Sequence, residues 1–194
     1  MNVLLLGPQG SGKGTQAKLI AQDYGLPHIA TGDILRAAIA AGTELGQQVE
    51  PILDSGQLVP DDLMVELIRE RLSDPDADDG FVLDGFPRTL AQAEALDDML
   101  EEIGRELDVI LEFQLDEETS IRRMLGRAAE EGRADDTPEV MRKRLELYRE
   151  MTLPVVEHYR ATGKLVGIHA EGPIVDVYAE VQQALEQVRS RTAR

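Results

Sequence analysis

The sequence lacks cysteine altogether, which excludes disulfide bonds and cysteine-ligated metal sites and fits a reducing compartment. It also contains no run of eighteen apolar residues, so we expect no membrane-spanning helix and no membrane partner. The opening residues, MNVLLL, carry neither a basic stretch nor a cleavage site. We therefore expect no export signal and a cytoplasmic location.

Positive charge is scarce as well. Lysine and arginine together number 20 against 37 acidic residues, a net charge of −17, which argues against a nucleic-acid-binding protein. Eight of the 20 basic residues nevertheless fall between Arg122 and Arg149. They form either paired charges on solvated helix faces or an anion site, because the planar guanidinium of arginine matches phosphate oxygens.

Hydrophobic patterning indicates a single α/β domain. With 194 residues, 42% of them hydrophobic, the chain can bury one core of ordinary size. Five short apolar segments alternate with longer amphipathic ones, as in a parallel sheet covered by helices on both faces. These segments are NVLLL, LPHIA, GFVLD, DVILEF and KLVGIH. Ligands of such folds bind beyond the carboxyl ends of the strands.

Helical periodicity fills the intervals between these strands. It predicts helices over residues 13–24, 90–103, 117–129, 138–161 and 174–188. Residues 32–72 are helical in pattern with no strand among them, which is too much chain for one crossover and indicates a small helical insert above the sheet. Pro51 lies within this insert, where we expect it to kink or end a helix.

The segment GPQGSGKGT, residues 7–15, directly follows the first strand. It nearly fits the phosphate-binding pattern G-x-x-x-x-G-K-[ST], with Gly7, Gly12 and Lys13 in place. We expect its backbone N–H groups to face an anion at a helix start, with the Lys13 ammonium on the outer phosphates. A glycine-rich turn without a ligand is the alternative. A dinucleotide site is weaker still, because Thr15 replaces the last glycine of G-x-G-x-x-G.

One position departs from the phosphate-binding pattern. Gly14 stands where a serine or threonine ordinarily ligates Mg²⁺. A metal would therefore be held by phosphates, by water and by either Thr15 or a carboxylate from elsewhere. Asp84 is the candidate carboxylate, because it ends the strand GFVLD at the ligand-binding edge of the sheet. Taken alone, Asp84 could equally begin a turn.

Asp84 also begins the segment DGFPRT, and here a resemblance becomes specific. Five segments resemble the adenylate kinase family in its order and nearly its spacing: GPQGSGKGTQ (7–16), TGDILR (31–36), LVPDD (58–62), DGFPRTLAQA (84–93) and GRADD (132–136). The resemblance implies a P-loop three-layer α/β fold with a five-stranded parallel sheet, a helical insert that binds the nucleoside monophosphate (NMP) and a short lid. It also implies reversible phosphoryl transfer, Mg·ATP + AMP ⇌ 2 ADP.

The resemblance assigns roles to individual residues. For ATP it implies binding by Gly10, Ser11, Gly12, Lys13, Gly14, Thr15, Arg123, Arg127 and Gly172, with Arg127 covering the base. For AMP it implies Thr31, Arg36, Gln57, Leu58, Val59, Gly85, Phe86, Pro87, Arg88, Gln92, Arg133 and Arg144, with Gln92 reading the adenine edge. The implied catalytic set is Lys13, Arg88, Arg123, Arg133 and Arg144. No protein group would ligate Mg²⁺ directly, and Asp84 would reach it through a water molecule.

The same resemblance divides the chain. It implies a core of residues 1–29, 60–125 and 134–194, an NMP-binding insert of residues 30–59 and a lid of residues 126–133. Only AAEEG separates Arg127 from Arg133, which indicates the short-lid form, without structural zinc and with a less enclosed site. The segment HAEGP departs from the family, because Ala170 stands where many relatives have glycine before Gly172.

Three alternatives remain open from the sequence. A UMP/CMP kinase shares the glycine loop and DGFPR, although Gln92 and LVPDD favour AMP. A nucleotide-binding P-loop switch is disfavoured by Gly14 and by the lack of an N-K-x-D guanine motif. The full arginine set disfavours a module without kinase activity. We expect a monomer that binds ATP, AMP and ADP. The three histidines, His28, His158 and His169, are expected to be structural, because they show neither metal-ligand spacing nor a carboxylate pairing suited to catalysis.

Overall fold

A computed structural model describes residues 1–131 and 137–192. The strands are β1 (Asn2–Leu6), β2 (His28–Ala30), β3 (Phe81–Asp84), β4 (Val109–Gln114) and β5 (Leu165–His169). They form one five-stranded sheet in the order β2-β3-β1-β4-β5, and every neighbouring pair is parallel. The predicted α/β class and its parallel sheet are confirmed.

Helices connect the strands and cover the sheet. They are α1 (Lys13–Tyr24), α2 (Thr31–Ala40), α3 (Glu44–Asp54), α4 (Asp61–Leu72), α5 (Leu90–Glu102), α6 (Glu117–Glu131), α7 (Pro138–Leu147), α8 (Leu153–Arg160) and α9 (Ile174–Thr192). Within residues 1–131 and 137–192, no helix is long and apolar enough to cross a membrane.

Side-chain alternation along the strands creates two cores. Leu4 and Leu6 of β1 join an apolar cluster on the face covered by α4, α5 and α8. Val3 and Leu5 join a second cluster on the face covered by α1 and α9. Because successive side chains of a strand point to opposite faces, an all-apolar strand such as β1 requires helices on both sides. The expected three layers are therefore present.

The chain between β2 and β3 forms the predicted helical insert. Helices α2 and α3 pack tightly against each other, and a Cβ on Gly46 would clash with the Ala38 carbonyl. Helix α4 packs instead against α5, in one of the two helical layers that cover the sheet. Helix α3 continues through Pro51 and ends at Asp54, so it does not end at the proline itself. The φ of proline is compatible with a helix, but proline removes one backbone hydrogen bond. The packing of an amphipathic helix outweighs the free energy lost with that bond.

The prediction of a single helix over residues 138–161 is wrong. It is divided into α7 and α8 by one turn of π-helix, Tyr148–Thr152. The reason is Pro154 in the first turn of α8: proline has no N–H to donate, and its ring crowds the carbonyl four residues earlier. A widened turn before the proline relieves that crowding. The lid predicted at residues 126–133 extends beyond the described residues after Glu131.

Candidate active site

A cleft of about 890 Å³ lies at the carboxyl ends of the strands, where ligands of parallel α/β sheets bind. Its volume is that of a small-molecule site. The loop after β1 forms one side of the cleft, and the insert with the loop after β3 forms the other. Residues of α6, α7 and the loop after β5 complete its wall.

The loop between β1 and α1 has a conformation that demands glycine. Gly7, Gly10 and Gly12 all have positive φ, at 145°, 80° and 85°, a region that side chains with a Cβ rarely occupy. Gly10 also passes close to α6, because a Cβ there would stand 2.6 Å from the Ser120 carbonyl oxygen. The loop delivers the chain to the start of α1 at Lys13. The strand–loop–helix context expected of a phosphate-binding loop is therefore present.

Lys13 is held inside this loop. Its Nζ donates to the carbonyl oxygens of Gly7 at 2.7 Å and Pro8 at 2.8 Å, and to the Ser11 hydroxyl at 3.3 Å. Burial lowers the pKa of Lys13 to about 8, against the opposing attraction of Asp84. Arg127 is among the neighbouring cations that lower the pKa of Lys13 further. The ammonium is thus fixed in place, and its charge depends on pH within a moderately alkaline range.

Asp84 ends β3 beside the glycine loop. Its Oδ2 is 3.6 Å from the place a Cβ of Gly14 would take. Burial opposes the ionised form of Asp84, but His28, Lys13 and Arg88 outweigh it and lower the pKa of this carboxyl. Asp84 is therefore a carboxylate at neutral pH, under the influence of both Lys13 and Arg88.

His28, which was expected to be structural, also lines the cleft. Its Nε2 is buried without a hydrogen-bond partner and lies 3.9 Å from Asp84 Oδ2. The strand register, in which β2 pairs with β3, brings the two together and could have indicated this. His158 and His169 instead pair with Asp97 and Glu180 at 2.7 and 2.9 Å, and neither histidine lines the cleft.

The loop after β3 positions Arg88. Its Nε donates to the Gly85 carbonyl at 2.8 Å, which anchors the guanidinium to the turn that carries it. Burial lowers the pKa of Arg88, helped by the nearby charges of Arg144 and Arg36. Three arginines from separate segments, residues 36, 88 and 144, thus converge on the cleft. Such a group of planar donors suits a phosphate.

The residues expected around AMP line this same side. Gly85 has a φ of 87°, and a Cβ there would stand 2.5 Å from Thr31 Oγ1, so the turn fits directly against α2. The other predicted residues that line the cleft are Gln57, Leu58, Val59, Phe86, Pro87 and Gln92. Gln92 is only 2% exposed, and its Oε1 accepts a 2.8 Å hydrogen bond from the Arg88 backbone N–H.

The residues expected around ATP line the opposite side. Arg123 of α6 donates to the carbonyl oxygens of Ala170 at 2.7 Å and Glu171 at 2.9 Å, so it ties α6 to the loop after β5. Arg127 and Gly172 also line the cleft. Of the two remaining arginines, which were expected around AMP and the transferring group, Arg144 donates to the Leu53 carbonyl of the insert at 3.5 Å. The other, Arg133, lies outside the described residues.

The structure adds two residues that motif reading missed. Thr152, in the π-helical turn, donates to the Arg88 carbonyl at 2.9 Å. Asp61, at the start of α4, accepts hydrogen bonds from Thr89 and Gln92 at 2.9 and 2.8 Å. Asp61 belongs to the segment LVPDD, so its motif was recognised, but its contacts depend on a neighbour thirty-one residues away.

Comparison with known proteins agrees with this geometry. The family model described as adenylate kinase matches residues 5–164. An adenylate kinase of Thermobifida fusca (strain YX) is 49% identical over 191 residues, 98% of this chain and 100% of the relative. One of Stenotrophomonas maltophilia (strain K279a) is 46% identical over 186 residues, 96% of this chain and 100% of the relative.

A third, of Methylobacterium nodulans (strain LMG 21967 / CNCM I-2342 / ORS 2060), is 47% identical over 199 residues and covers both chains fully. The chain belongs to the adenylate kinase family. The expectation of a phosphotransferase that converts ATP and AMP into two ADP is thereby confirmed, and the switch, the inactive module and the UMP/CMP kinase are set aside. Because the chain has no cysteine, the cysteine-ligated zinc lid found in some adenylate kinases cannot form.

Proposed function

We propose that the cleft binds Mg·ATP on the glycine loop and AMP against the insert, and transfers the γ-phosphoryl group between them near Asp84. The observation that carries this proposal is the arrangement of charge. The Asp84 carboxylate interacts with both Lys13 and Arg88. Arg88 and Arg127 act on the charge of Lys13, and Arg36 and Arg144 act on that of Arg88. The cations of the cleft therefore influence one another from the glycine loop to the insert, as two anionic substrates that meet end to end require.

On the ATP side, backbone N–H groups from Gly10 to Thr15 and the start of α1 hold the phosphates. Lys13 provides a fixed positive charge beside them. Arg123, Arg127 and Gly172 line the region in which the rest of ATP would lie. Arg133 is proposed, as the family pattern implies, to contact AMP and the transferring phosphoryl group.

On the AMP side, Arg88 and Arg36 grip the phosphate, joined by Arg144. Thr31, Gly85, Phe86, Pro87 and the segment 57–59 line the nucleoside pocket. Gln92 reads the adenine edge, because a carboxamide donates and accepts at the same time. This pocket accounts for a preference for AMP among the nucleoside monophosphates.

Magnesium fits the site as a partner of the phosphates. Asp84 stays ionised beside the glycine loop, where Gly14 leaves room next to its carboxylate. Among the described residues, no cluster of three His, Asp or Glu side chains could hold a metal ion. Asp84 would therefore act through water. When bound, Mg²⁺ neutralises charge on the β- and γ-phosphate oxygens.

In the proposed transfer, an oxygen of the AMP phosphate attacks the γ-phosphorus of ATP. The bond between that phosphorus and the β–γ bridging oxygen breaks, and both nucleotides become ADP. The attacking phosphate is already ionised, so no strong base is needed. Lys13, Arg88, Arg123, Arg133 and Arg144 contribute by holding the reactants in line and stabilising charge on the transferring group.

The division into core, NMP-binding insert at 30–59 and short lid at 126–133 is part of the proposal. It is supported by the packing of α2 with α3, while α4 packs with the sheet layers. Movement of the insert would bring Arg36 toward Arg88. A monomeric state and a cytoplasmic location also remain predictions, and gel filtration coupled to light scattering would test the first.

A nucleotide panel tests the proposal. Purified protein is given Mg·ATP with AMP, CMP, UMP or GMP, and ADP formation is followed by a coupled assay. We expect AMP to have the highest kcat/KM and activity to require Mg²⁺. Faster turnover of CMP or UMP would contradict the proposed AMP pocket, and undiminished turnover with excess chelator would contradict the role given to the metal.

A further inference from the structure

Asp61 is a half-buried carboxylate at the first residue of α4, immediately after the insert ends. Its Oδ1 accepts a 2.9 Å hydrogen bond from the Thr89 hydroxyl and a 2.8 Å hydrogen bond from Gln92 Nε2. Thr89 is the N-cap of α5 and in turn accepts from the Gln92 backbone N–H. One carboxylate therefore connects the start of α4, just after the insert, to the helix that carries Gln92.

The carboxamide of Gln92 lies between two partners of opposite character. The Arg88 backbone N–H faces its Oε1 at 2.8 Å, and the Asp61 carboxylate faces its Nε2. An N–H group can only donate, and a carboxylate can only accept. A flipped carboxamide would place two donors together and two acceptors together. Asp61 and Arg88 therefore fix which end of the amide is which.

This orientation leaves Gln92 with one N–H and one oxygen lone pair for a ligand in the cleft that it lines. Adenine offers a 6-amino donor and an N1 acceptor, whereas hypoxanthine offers a 6-oxo acceptor and an N1 donor. The two bases are nearly equal in size but reversed in hydrogen-bond polarity. A fixed carboxamide accepts the first pattern and leaves polar groups unpaired with the second.

We infer that Asp61 is a positioning residue that holds Gln92 in the orientation for 6-amino purines and thereby excludes 6-oxo purines. The inference rests on the proposed role of Gln92 in base recognition. It adds a residue outside the assigned AMP set and names the chemical feature that is selected.

The test compares AMP with IMP as acceptors of the phosphoryl group from Mg·ATP. The two nucleotides share phosphate and ribose, so the ratio of their kcat/KM values cancels general damage to the site. We expect Gln92→Leu and Asp61→Ala each to lower the AMP/IMP ratio at least about tenfold. A factor of this size corresponds to the free-energy cost of one mispaired hydrogen-bonding group. In the double variant Asp61→Ala with Gln92→Leu, we expect the same AMP/IMP ratio as in Gln92→Leu alone. The reason is that both changes act through one interaction.

Conservative and control variants accompany this test. Asp61→Asn retains an acceptor oxygen for Gln92 and should keep the AMP/IMP ratio within about threefold of the parental value. This change is smaller than the loss of one hydrogen bond would cause. Asp62→Ala is the matched control and should leave the ratio unchanged, since Asp62 is exposed and accepts a hydrogen bond from its neighbour's backbone N–H. If Asp61→Ala melts early by circular dichroism, Asp61→Ser decides, because its hydroxyl cannot reach the position of Oδ1.

The outcomes separate this inference from the proposal beneath it. A parental ratio in folded Asp61→Ala or Asp61→Ser, with a lowered ratio in Gln92→Leu, would overturn the positioning role and leave the base-reading role intact. A parental ratio in Gln92→Leu would overturn base reading by Gln92 itself. An additive loss in the double variant would mean that Asp61 acts on selectivity by another route.

Discussion

Gly10 and Gly12 have similar backbone conformations in very different surroundings. Both have positive φ, but a Cβ at Gly10 would meet the Ser120 backbone at 2.6 Å, whereas Gly12 has open space. Gly12→Ala should lower the free energy of unfolding by about 1–2 kcal/mol through strain. Gly10→Ala adds a clash with backbone and should cost about 3 kcal/mol in total. Urea denaturation of the two variants measures the difference, and equal losses would contradict the close approach.

Lys13 gives the activity a pH dependence of known sign. Burial lowers the pKa of its side chain to about 8, so in the free protein Lys13 is an ammonium below that pH and neutral above it. Because kcat/KM reports the free enzyme, we expect kcat/KM for ATP to fall as pH rises above about 8. Lys13→Arg, although less active, should lose this decline, since arginine stays charged. A parental profile that stays flat through pH 9.5, or the same decline in the variant, would contradict this assignment.

At the scale of elements, the π-helical turn between α7 and α8 supports the Arg88 loop. Thr152 is 7% exposed and donates to the Arg88 carbonyl at 2.9 Å. Thr152→Val keeps the shape but removes the donor, which should cost about 1 kcal/mol. We expect KM for AMP to rise about fivefold and KM for ATP to stay at the parental value.

Thr162→Val is the control for that experiment. Thr162 also bonds a backbone carbonyl, that of Tyr159, but it lies after α8 and outside the cleft. Its kinetics should match the parent. A rise in KM for both nucleotides in Thr152→Val would indicate a general distortion of the site instead of support for Arg88.

Some of these elements could be predicted from the sequence and others could not. Five strands and the glycine loop were predictable, because buried parallel strands are continuously apolar and phosphate loops require glycine at fixed spacing. The break before α8 was not, since apolar residues continue at helical spacing through Met151 and Val155 and a proline is tolerated in the first turn of a helix. The surroundings of His28 and Asp61 depend on partners distant in sequence, on the neighbouring strand β3 for His28 and on α5 for Asp61, which a linear pattern does not report.

At the scale of the whole molecule, charge should make stability depend on salt. A net charge of −17 means that the folded chain repels itself, and salt screens such repulsion beyond roughly 10 Å at 0.1 M. We expect the melting temperature to rise as NaCl increases from very low to moderate concentration. A flat or falling curve would mean that the acidic surface is already balanced locally by its ion pairs.

The central claim is that basic side chains from separate segments close around one transferring phosphoryl group, with Arg88 among them. Loss of a cation of this kind commonly costs about 10³–10⁵ in rate. Steady-state kinetics on Arg88→Ala, Arg88→Lys and Arg69→Ala, beside circular dichroism, tests it most directly. Arg69 is the control, because it is exposed and pairs with Glu102 away from the cleft.

We predict that Arg88→Ala remains folded and loses at least about a thousandfold in kcat/KM for AMP. Arg88→Lys should recover only part of this loss, because a point charge cannot reproduce the two-pronged guanidinium. Arg69→Ala should match the parent. Near-parental activity in folded Arg88→Ala would contradict the account. Equal losses of activity in Arg88→Ala and Arg69→Ala would show that the effect does not arise in the cleft.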